Sequence, residues 1–211
     1  MENPNETETS EEYQQLRQTV FNLLLESRAV DPKVKVTLSS GKLATGYANL
    51  RETALSSEQS EMPLKLLELH IRQVVIPCLE SIGRKPNCVG TVPMGGLLWI
   101  AQLLAFDTFQ LPLFLVSKEP DKDDLHQRRV FGDSNIWQLK NPIMALYIED
   151  VVTTGSSVLQ VIEAARMVKC IEPSAILTMV LRDDVEGHVE NELAGIPVFS
   201  VFRMSEFKEA G

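Results

Sequence analysis

IMALYIEDVVTTGSSV, residues Ile143 to Val158, carries the most structural information in the chain. Its first half is an unbroken apolar run, too uniform for a strand with one wet face, so it predicts a strand covered on both sides. Two acids follow at once, Glu149 and Asp150, then Val151 and Val152, then the small hydroxyl and glycine run Thr153, Thr154, Gly155, Ser156 and Ser157. The apolar pattern resumes at helical spacing in SSVLQVIEAARMVK. A strand passing through such a loop into a helix aims backbone N–H groups, hydroxyl donors and the positive end of the helix dipole at one point, which is the geometry that grips a phosphate. Glycine at 155 lets the backbone approach that anion closely. Carboxylates just upstream stand at the height to bond sugar hydroxyls or the water shell of Mg²⁺. A ribose bearing a 5-phosphate satisfies both halves. The competing explanation is local: Ser and Thr are preferred N-caps, so an acidic strand end before a capped helix would give the same letters.

The surrounding chain alternates in the same way. From residue 88 the apolar segments CVGTV, LPLFLVS, PIMALYIE, SAILTMVL and IPVFSVF are separated by the helical patterns GGLLWIAQLLAF, SSVLQVIEAARMVK and EGHVENELA. Strands alternating with helices predict an α/β fold, a parallel doubly wound sheet flanked by helices, with ligands at the carboxyl ends of the strands where strand order reverses. Residues 118–134, KEPDKDDLHQRRVFGDS, are polar and longer than a connection needs, which predicts a lid or a disordered segment. Upstream, residues 11–29 have amphipathic helical spacing, and 34–50 read as a hairpin or short meander around Ser39, Ser40 and Gly41. Residues 60–82 read as a long helix, with Pro63 near its first turn and Pro77 forcing a kink or a break.

Composition narrows the function classes. A chain of 211 residues suits one domain of moderate size, and 44% hydrophobic with 23% charged residues is enough for a core without staples. The net charge of -9 opposes nucleic acid and anionic membranes as partners. Five of the acids sit in residues 1–12, MENPNETETSEE, which predicts a disordered acidic tail ahead of a folded domain at 13–207. This segment has neither the basic start and apolar core of a signal peptide nor the basic character of a transit peptide, and no apolar stretch approaches the ~20 residues that span a bilayer. A soluble, cytoplasmic protein is expected. Cys78, Cys88 and Cys170 are odd in number and widely spaced, so they read as reduced core residues, and His70, His126 and His188 have no metal or triad spacing. There is no GxxxxGK(S/T) and no GxGxxG after a strand, which weakens kinase-like and dinucleotide readings, and no GxSxG to support a serine hydrolase.

The run LYIEDVVTTGSS (146–157) resembles the phosphoribosyl pyrophosphate (PRPP) signature of type I phosphoribosyltransferases, in a wording similar to that of orotate phosphoribosyltransferases. The resemblance spans residues 11–207: VTLSSGKLATGYANLR (36–51) is similar to the segment that contacts base and ribose, GTVPMGG (90–96) to the pyrophosphate loop, VSKEPDKDDLHQRRVFG (116–132) to the mobile catalytic loop, and LRDDVEGHVENELAGIPVFSVFRMSEF (181–207) to the C-terminal strands and helix. It implies the type I phosphoribosyltransferase fold with a small N-terminal hood. The implied reaction moves ribose 5-phosphate from PRPP to orotate, giving orotidine 5′-phosphate and pyrophosphate in pyrimidine synthesis, with Mg²⁺ carried by PRPP and a homodimer as the working unit. By match, Val151, Val152, Thr153, Thr154, Gly155, Ser156 and Ser157 hold the 5-phosphate, and Glu149 and Asp150 hold the ribose hydroxyls. Backbone groups of Val92, Pro93, Met94, Gly95 and Gly96 bind pyrophosphate. Lys118 and Lys122 reach the pyrophosphate, partly across the dimer interface, with His126, Arg128 and Arg129 as further loop cations. Tyr47, Ala48, Thr153 and Arg182 fall at the base. On residue type alone, Met94-Gly95-Gly96 also reads as a plain tight turn, and Tyr47 as a buried hairpin aromatic.

Four departures from the family pattern stand out. Ser39 stands where the family has Lys, and Ser117 where it has Arg; Asp121, Asp123 and Asp124 add acid to the mobile loop, and Leu125 replaces a glycine. Leu181-Arg182-Asp183 replaces Leu-Asp-Arg, whose Arg grips the orotate carboxylate with two parallel bonds. One residue of shift along a strand turns a side chain to the other face, so Arg182 reaches the base only if the strand has already ended. These departures leave two alternatives open, a weakly active or inactive PRPP- or nucleotide-binding homologue with a regulatory role, and a transferase acting on another base.

Overall fold

The apolar runs pair into one six-stranded sheet, and the segment before them forms a separate hairpin. A computed structural model describes residues 9–37, 43–91, 95–104, 110–120, 128–184 and 195–210. The hairpin joins β1 (Val30–Thr37) to β2 (Leu43–Ala48), antiparallel, in the hood position. The main sheet comprises β3 (Cys88–Thr91), β4 (Leu113–Pro120), β5 (Arg128–Gly132), β6 (Ile143–Val152), β7 (Ile171–Leu181) and β8 (Val198–Arg203), in the order β5-β4-β3-β6-β7-β8. All neighbours are parallel except β5, which runs antiparallel to β4 at one edge.

Alternate residues of the central strand β6 feed two cores, which is why its sequence shows no polar face. Leu146 and Ile148 pack with α1 (Glu11–Glu26), α3 (Glu61–His70), α5 (Gly95–Leu103) and α7 (Met204–Ala210) on one side. Ile143, Ala145 and Tyr147 pack with α6 (Ser156–Lys169) and Ile136 on the other. Each fully buried aliphatic side chain stabilises the fold by about 1.5–3 kcal/mol. Trp99 is 1% exposed within the first core, where helical spacing predicted it.

The helix expected at 60–82 is broken where Pro77 requires it. Pro77 has no N–H for the carbonyl four residues back, and the ladder loosens into a π turn over Ile71–Val75, with the Ile76 N–H bonded to Ile71 O before α4 (Ile76–Ser81) begins.

Three expectations change. The expected tail at 1–12 overruns into helix: Ser10 Oγ accepts the Tyr13 N–H at 3.2 Å, and Glu11 and Glu12 in the first turn of α1 complement its dipole. Residues 1–8 lie outside the described residues. Residues 118–134 are not loop throughout, since β4 continues to Pro120, β5 returns from Arg128, and a 3-10 turn occupies Ser134–Gln138. The antiparallel register sets Val130 against Val116 and Phe131 against Leu115, so apolar pairing outweighs the charge of the segment. Of the three free thiols, Cys88 is buried and Cys78 partly so, but Cys170 is exposed, closing α6 in the left-handed conformation at φ 52°. The helical pattern expected at 186–194 lies outside the described residues.

Candidate active site

Strand order reverses between β3 and β6: the chain leaves β3 for β4 on one side, then crosses to β6 on the other. Their carboxyl ends therefore open a crevice between two outgoing segments, the usual ligand position in such sheets. Thr91 closes its floor, donating from Oγ1 to Ile148 O at 2.7 Å.

On the β6 side the strand runs further than its apolar letters suggest, through Val152, so both acids lie within it. Neighbouring strand residues face opposite ways. Asp150 turns towards the start of α5 and is 8% exposed, while Glu149, partly exposed, pairs in register with Thr178. Thr153 and Thr154 are partly exposed, Gly155 turns the chain with φ 76°, and Ser156 and Ser157 stand exposed on the first turn of α6. Thr154 Oγ1 donates to Ser156 Oγ at 3.3 Å. No side chain caps α6, unlike α1 with its Ser10. The hydroxyls are thus not explained as caps, and the first N–H groups of α6 have no partner from a cap.

On the β3 side Val92, Pro93 and Met94 lie outside the described residues, and Gly95 and Gly96 begin α5. Neither tolerates a side chain. A Cβ on Gly95 would lie 2.2 Å from Asp150 Oδ1, and one on Gly96 2.1 Å from Ile148 O. This contact goes beyond a tight turn, because it sets the positive end of α5 against a buried carboxylate. Burial lifts the Asp150 carboxyl above the ordinary range, and the Val151 N–H at 2.9 Å and the Arg51 guanidinium only partly offset it. Arg51 Nε is 3.9 Å from Asp150 Oδ2. The crevice so built has the uncapped start of α6 on one side, the glycine start of α5 on the other and a carboxylate acceptor beside them.

An orotate phosphoribosyltransferase of Bradyrhizobium diazoefficiens is 32% identical over 177 residues, covering 83% of this chain and 88% of its own. One from Rhodopseudomonas palustris strain BisB18 is 31% identical over 176 residues, covering 82% and 87%. The chain belongs to the orotate phosphoribosyltransferase family. The crystal structure of the orotate phosphoribosyltransferase of Aeropyrum pernix shares the fold, with a TM-score of 0.64 at 23% identity over 90% of this chain and 98% of that one. No family model matches the chain.

Within the orotate phosphoribosyltransferase frame, the remaining site residues divide. Tyr47 is 40% exposed on β2, so it is not a buried hairpin aromatic, and Ala48 beside it is partly exposed. Lys118 lies on β4, Arg128 and Arg129 lie on β5, and Ser117 is partly exposed on β4. Lys122, His126 and Ser39 lie outside the described residues, as do Asp121, Asp123, Asp124 and Leu125.

Arg182 follows the end of β7 but is spent on the fold. It is 3% exposed; Nε and Nη2 donate to the Asp184 carboxylate at 2.8 and 3.1 Å, Nη1 to Gly46 O at 2.9 Å, and Nη2 also to Thr45 O at 3.3 Å. Burial alone would raise the Asp184 carboxyl, but Arg182 and Lys208 outweigh it and hold it below the ordinary range. Asp183 accepts from the Ser205 N–H at 3.0 Å and from Ser205 Oγ at 2.6 Å, capping α7. The exchange of Arg and Asp therefore gives a clamp that fastens the hood to the sheet and a helix cap, rather than a cation free for a carboxylate.

Sequence reasoning missed Arg51 as a site residue. It closes the segment 36–51 that is similar to the one contacting base and ribose and opens α2 (Arg51–Leu55), but it was not singled out within that segment.

Proposed function

We propose that this chain transfers ribose 5-phosphate from PRPP to orotate, forming orotidine 5′-phosphate and pyrophosphate. The observation that carries this reading is the pairing of an uncapped α6 N-terminus, entered through left-handed Gly155, with a buried Asp150 against the glycine start of α5. The N–H groups of α6 with Thr153, Thr154, Ser156 and Ser157 take the 5-phosphate, with Val151 and Val152 leading into the loop. Asp150 accepts the ribose hydroxyls, assisted by Glu149. The segment from Val92 to Gly96 receives the pyrophosphate. Lys118 and Lys122 add positive charge for the leaving pyrophosphate, with His126, Arg128 and Arg129 nearby in sequence. The bond from the anomeric carbon to pyrophosphate breaks with its electron pair leaving on the pyrophosphate, and the deprotonated ring nitrogen of orotate bonds to that carbon. Tyr47, Ala48 and Thr153 border the base. The orotate carboxylate takes a partner other than Arg182, whose guanidinium is committed.

Among the described residues no three acidic, His or Cys side chains are grouped to hold a metal ion. Mg²⁺ would arrive on the oxygens of PRPP, with Asp150 as a hard oxygen acceptor for its water shell. Bound so, Mg²⁺ supplies charge neutralisation on the leaving group. We place the protein in the cytoplasm as a homodimer. Among the described residues no helix is long and apolar enough to cross a membrane. The apolar surface of Leu104, Leu111, Leu113, Leu115 and Phe131, with Phe131 53% exposed, gives a second copy area to bury.

Calorimetric titration with PRPP and Mg²⁺ tests the site. Asp150→Asn keeps the shape and loses the charged acceptor, and we expect affinity to fall about tenfold or more, since bonds to charged groups contribute about 1.5–3 kcal/mol. Unchanged affinity would mean that PRPP binds elsewhere.

A further inference from the structure

Arg51 has no role in the reaction as described, yet its guanidinium stands within ion-pair distance of the carboxylate at its centre, with Nε 3.9 Å from Asp150 Oδ2. Leu50 ends the segment coming from the hairpin, and Arg51 begins α2 there, with its backbone N–H held by Asn49 Oδ1 at 3.3 Å. Asp150 is confined around it: Oδ1 accepts the Val151 N–H at 2.9 Å, Gly95 lies so close that a Cβ would overlap the carboxylate, and Oδ2 faces Arg51 Nε at 3.9 Å. Among the described residues the Arg51 guanidinium has no other charged partner, and its side chain is 53% exposed against 12% for Asp150.

We propose that Arg51 is a PRPP-positioning residue, turning Asp150 Oδ2 toward the ribose hydroxyls and tying the hood, through α2, to the sugar end of the site. This rests on the reading of the chain as a PRPP-dependent transferase. A vicinal diol needs an acceptor held in one orientation, and a carboxylate fixed only through Oδ1 can still swing its other oxygen. A guanidinium beside Oδ2 removes that freedom. An ion pair this exposed contributes little to folding, so its removal should be felt in ligand binding and not in stability.

The experiment titrates PRPP with Mg²⁺ into the full chain and its Arg51→Ala, Arg51→Lys, Asp150→Ala and doubly substituted Arg51→Ala/Asp150→Ala variants, and measures KM for each substrate. Glu52→Gln, one residue along α2, is the control. Arg51→Ala should weaken PRPP binding about tenfold and raise KM for PRPP, while KM for orotate stays within about twofold. Arg51→Lys should recover most of the loss, Glu52→Gln should match the parent, and the Arg51 and Glu52 single variants should melt with the parent. Because Arg51 acts through Asp150, the double variant should bind no more weakly than Asp150→Ala alone. PRPP affinity of Arg51→Ala within about twofold of the parent, or full additivity in the double variant, would overturn the assignment. A parent protein that binds PRPP but makes no orotidine 5′-phosphate would contradict the reaction, while the titrations still decide the role of Arg51; a parent that binds no PRPP would overturn both.

Discussion

Alanine at Gly95 and alanine at Gly96 are the same chemical change on adjacent residues, and the structure assigns them different consequences. At Gly95 the new Cβ would stand 2.2 Å from Asp150 Oδ1, 2.6 Å from Cγ and 2.9 Å from Oδ2. Carbon contacts settle near about 3.5–4.0 Å, so the overlap exceeds an ångström, but the obstacle is the end of a side chain, which can rotate. Rotation strains the Val151 N–H bond and carries the acceptor oxygens off their position. The stability cost should be about 1–3 kcal/mol, as for a core overpacked by one carbon. At roughly 2–4 °C per kcal/mol for a chain of this size, the melting temperature should fall by about 2–12 °C. The functional cost should be larger, since misplacing a catalytic group by about 1 Å costs on the order of a hundredfold. At Gly96 the obstacles are Ile148 O at 2.1 Å and Thr91 Oγ1 at 2.3 Å, main chain of the central strand and the hydroxyl bonded to it. Neither can swing away, so Gly96→Ala should destabilise more than Gly95→Ala and yield little folded protein. Thermal melts paired with PRPP titration separate the two. Parent-like PRPP affinity in Gly95→Ala, or equal destabilisation by both changes, would refute the reasoning.

Two further predictions test assignments outside the phosphate loop. Arg182→Met removes four hydrogen bonds and leaves Asp184, 6% exposed, with Lys208 alone at 2.7 Å; the loss should be about 3 kcal/mol, or about 6–12 °C in melting temperature. An unchanged melting temperature with loss of orotate use would instead return Arg182 to the base. His70 is 2% exposed with Tyr13 Oη 2.7 Å from Nδ1, and burial, helped by Arg17, pulls it down from 6.5 to about 3. Only the unfolded chain then binds this proton between those values, so the stability it supports is complete above pH 6.5 and is lost as pH falls towards 3. The slope should be about 1.4 kcal/mol per pH unit between roughly pH 6 and 4, and His70→Gln should remove that share of it in denaturant titrations. A parent and variant with the same acid slope would show that His70 is protonated in the fold.

How much was legible in the chain follows from the range of the interactions. The core strands, the turn at Gly155 and the break at Pro77 depend on local pattern and backbone chemistry, and they can be read from neighbouring letters. The phosphate loop belongs to this group because its donors are consecutive. The strand β5 could not be read, since its charges argue for loop and only the register against β4 reveals Val130 and Phe131 as paired. Arg51 and Asp150 meet across 99 positions, so their contact exists only once the sheet has closed. The fate of Arg182 turned on where β7 ends, a matter of one residue, and on carbonyls of the distant hairpin at Thr45 and Gly46. Exposure of Cys170 came from its place as the left-handed cap of α6, where an apolar neighbourhood in sequence carries no information about burial.

The most direct test of the central claim is pyrophosphate release from PRPP with Mg²⁺ in the presence of orotate, run against a panel of other bases and with Asp150→Asn as the blank. The account predicts release that depends on orotate, in step with orotidine 5′-phosphate and abolished in the blank. Release with a different base, or none at all from protein that binds PRPP, would contradict it.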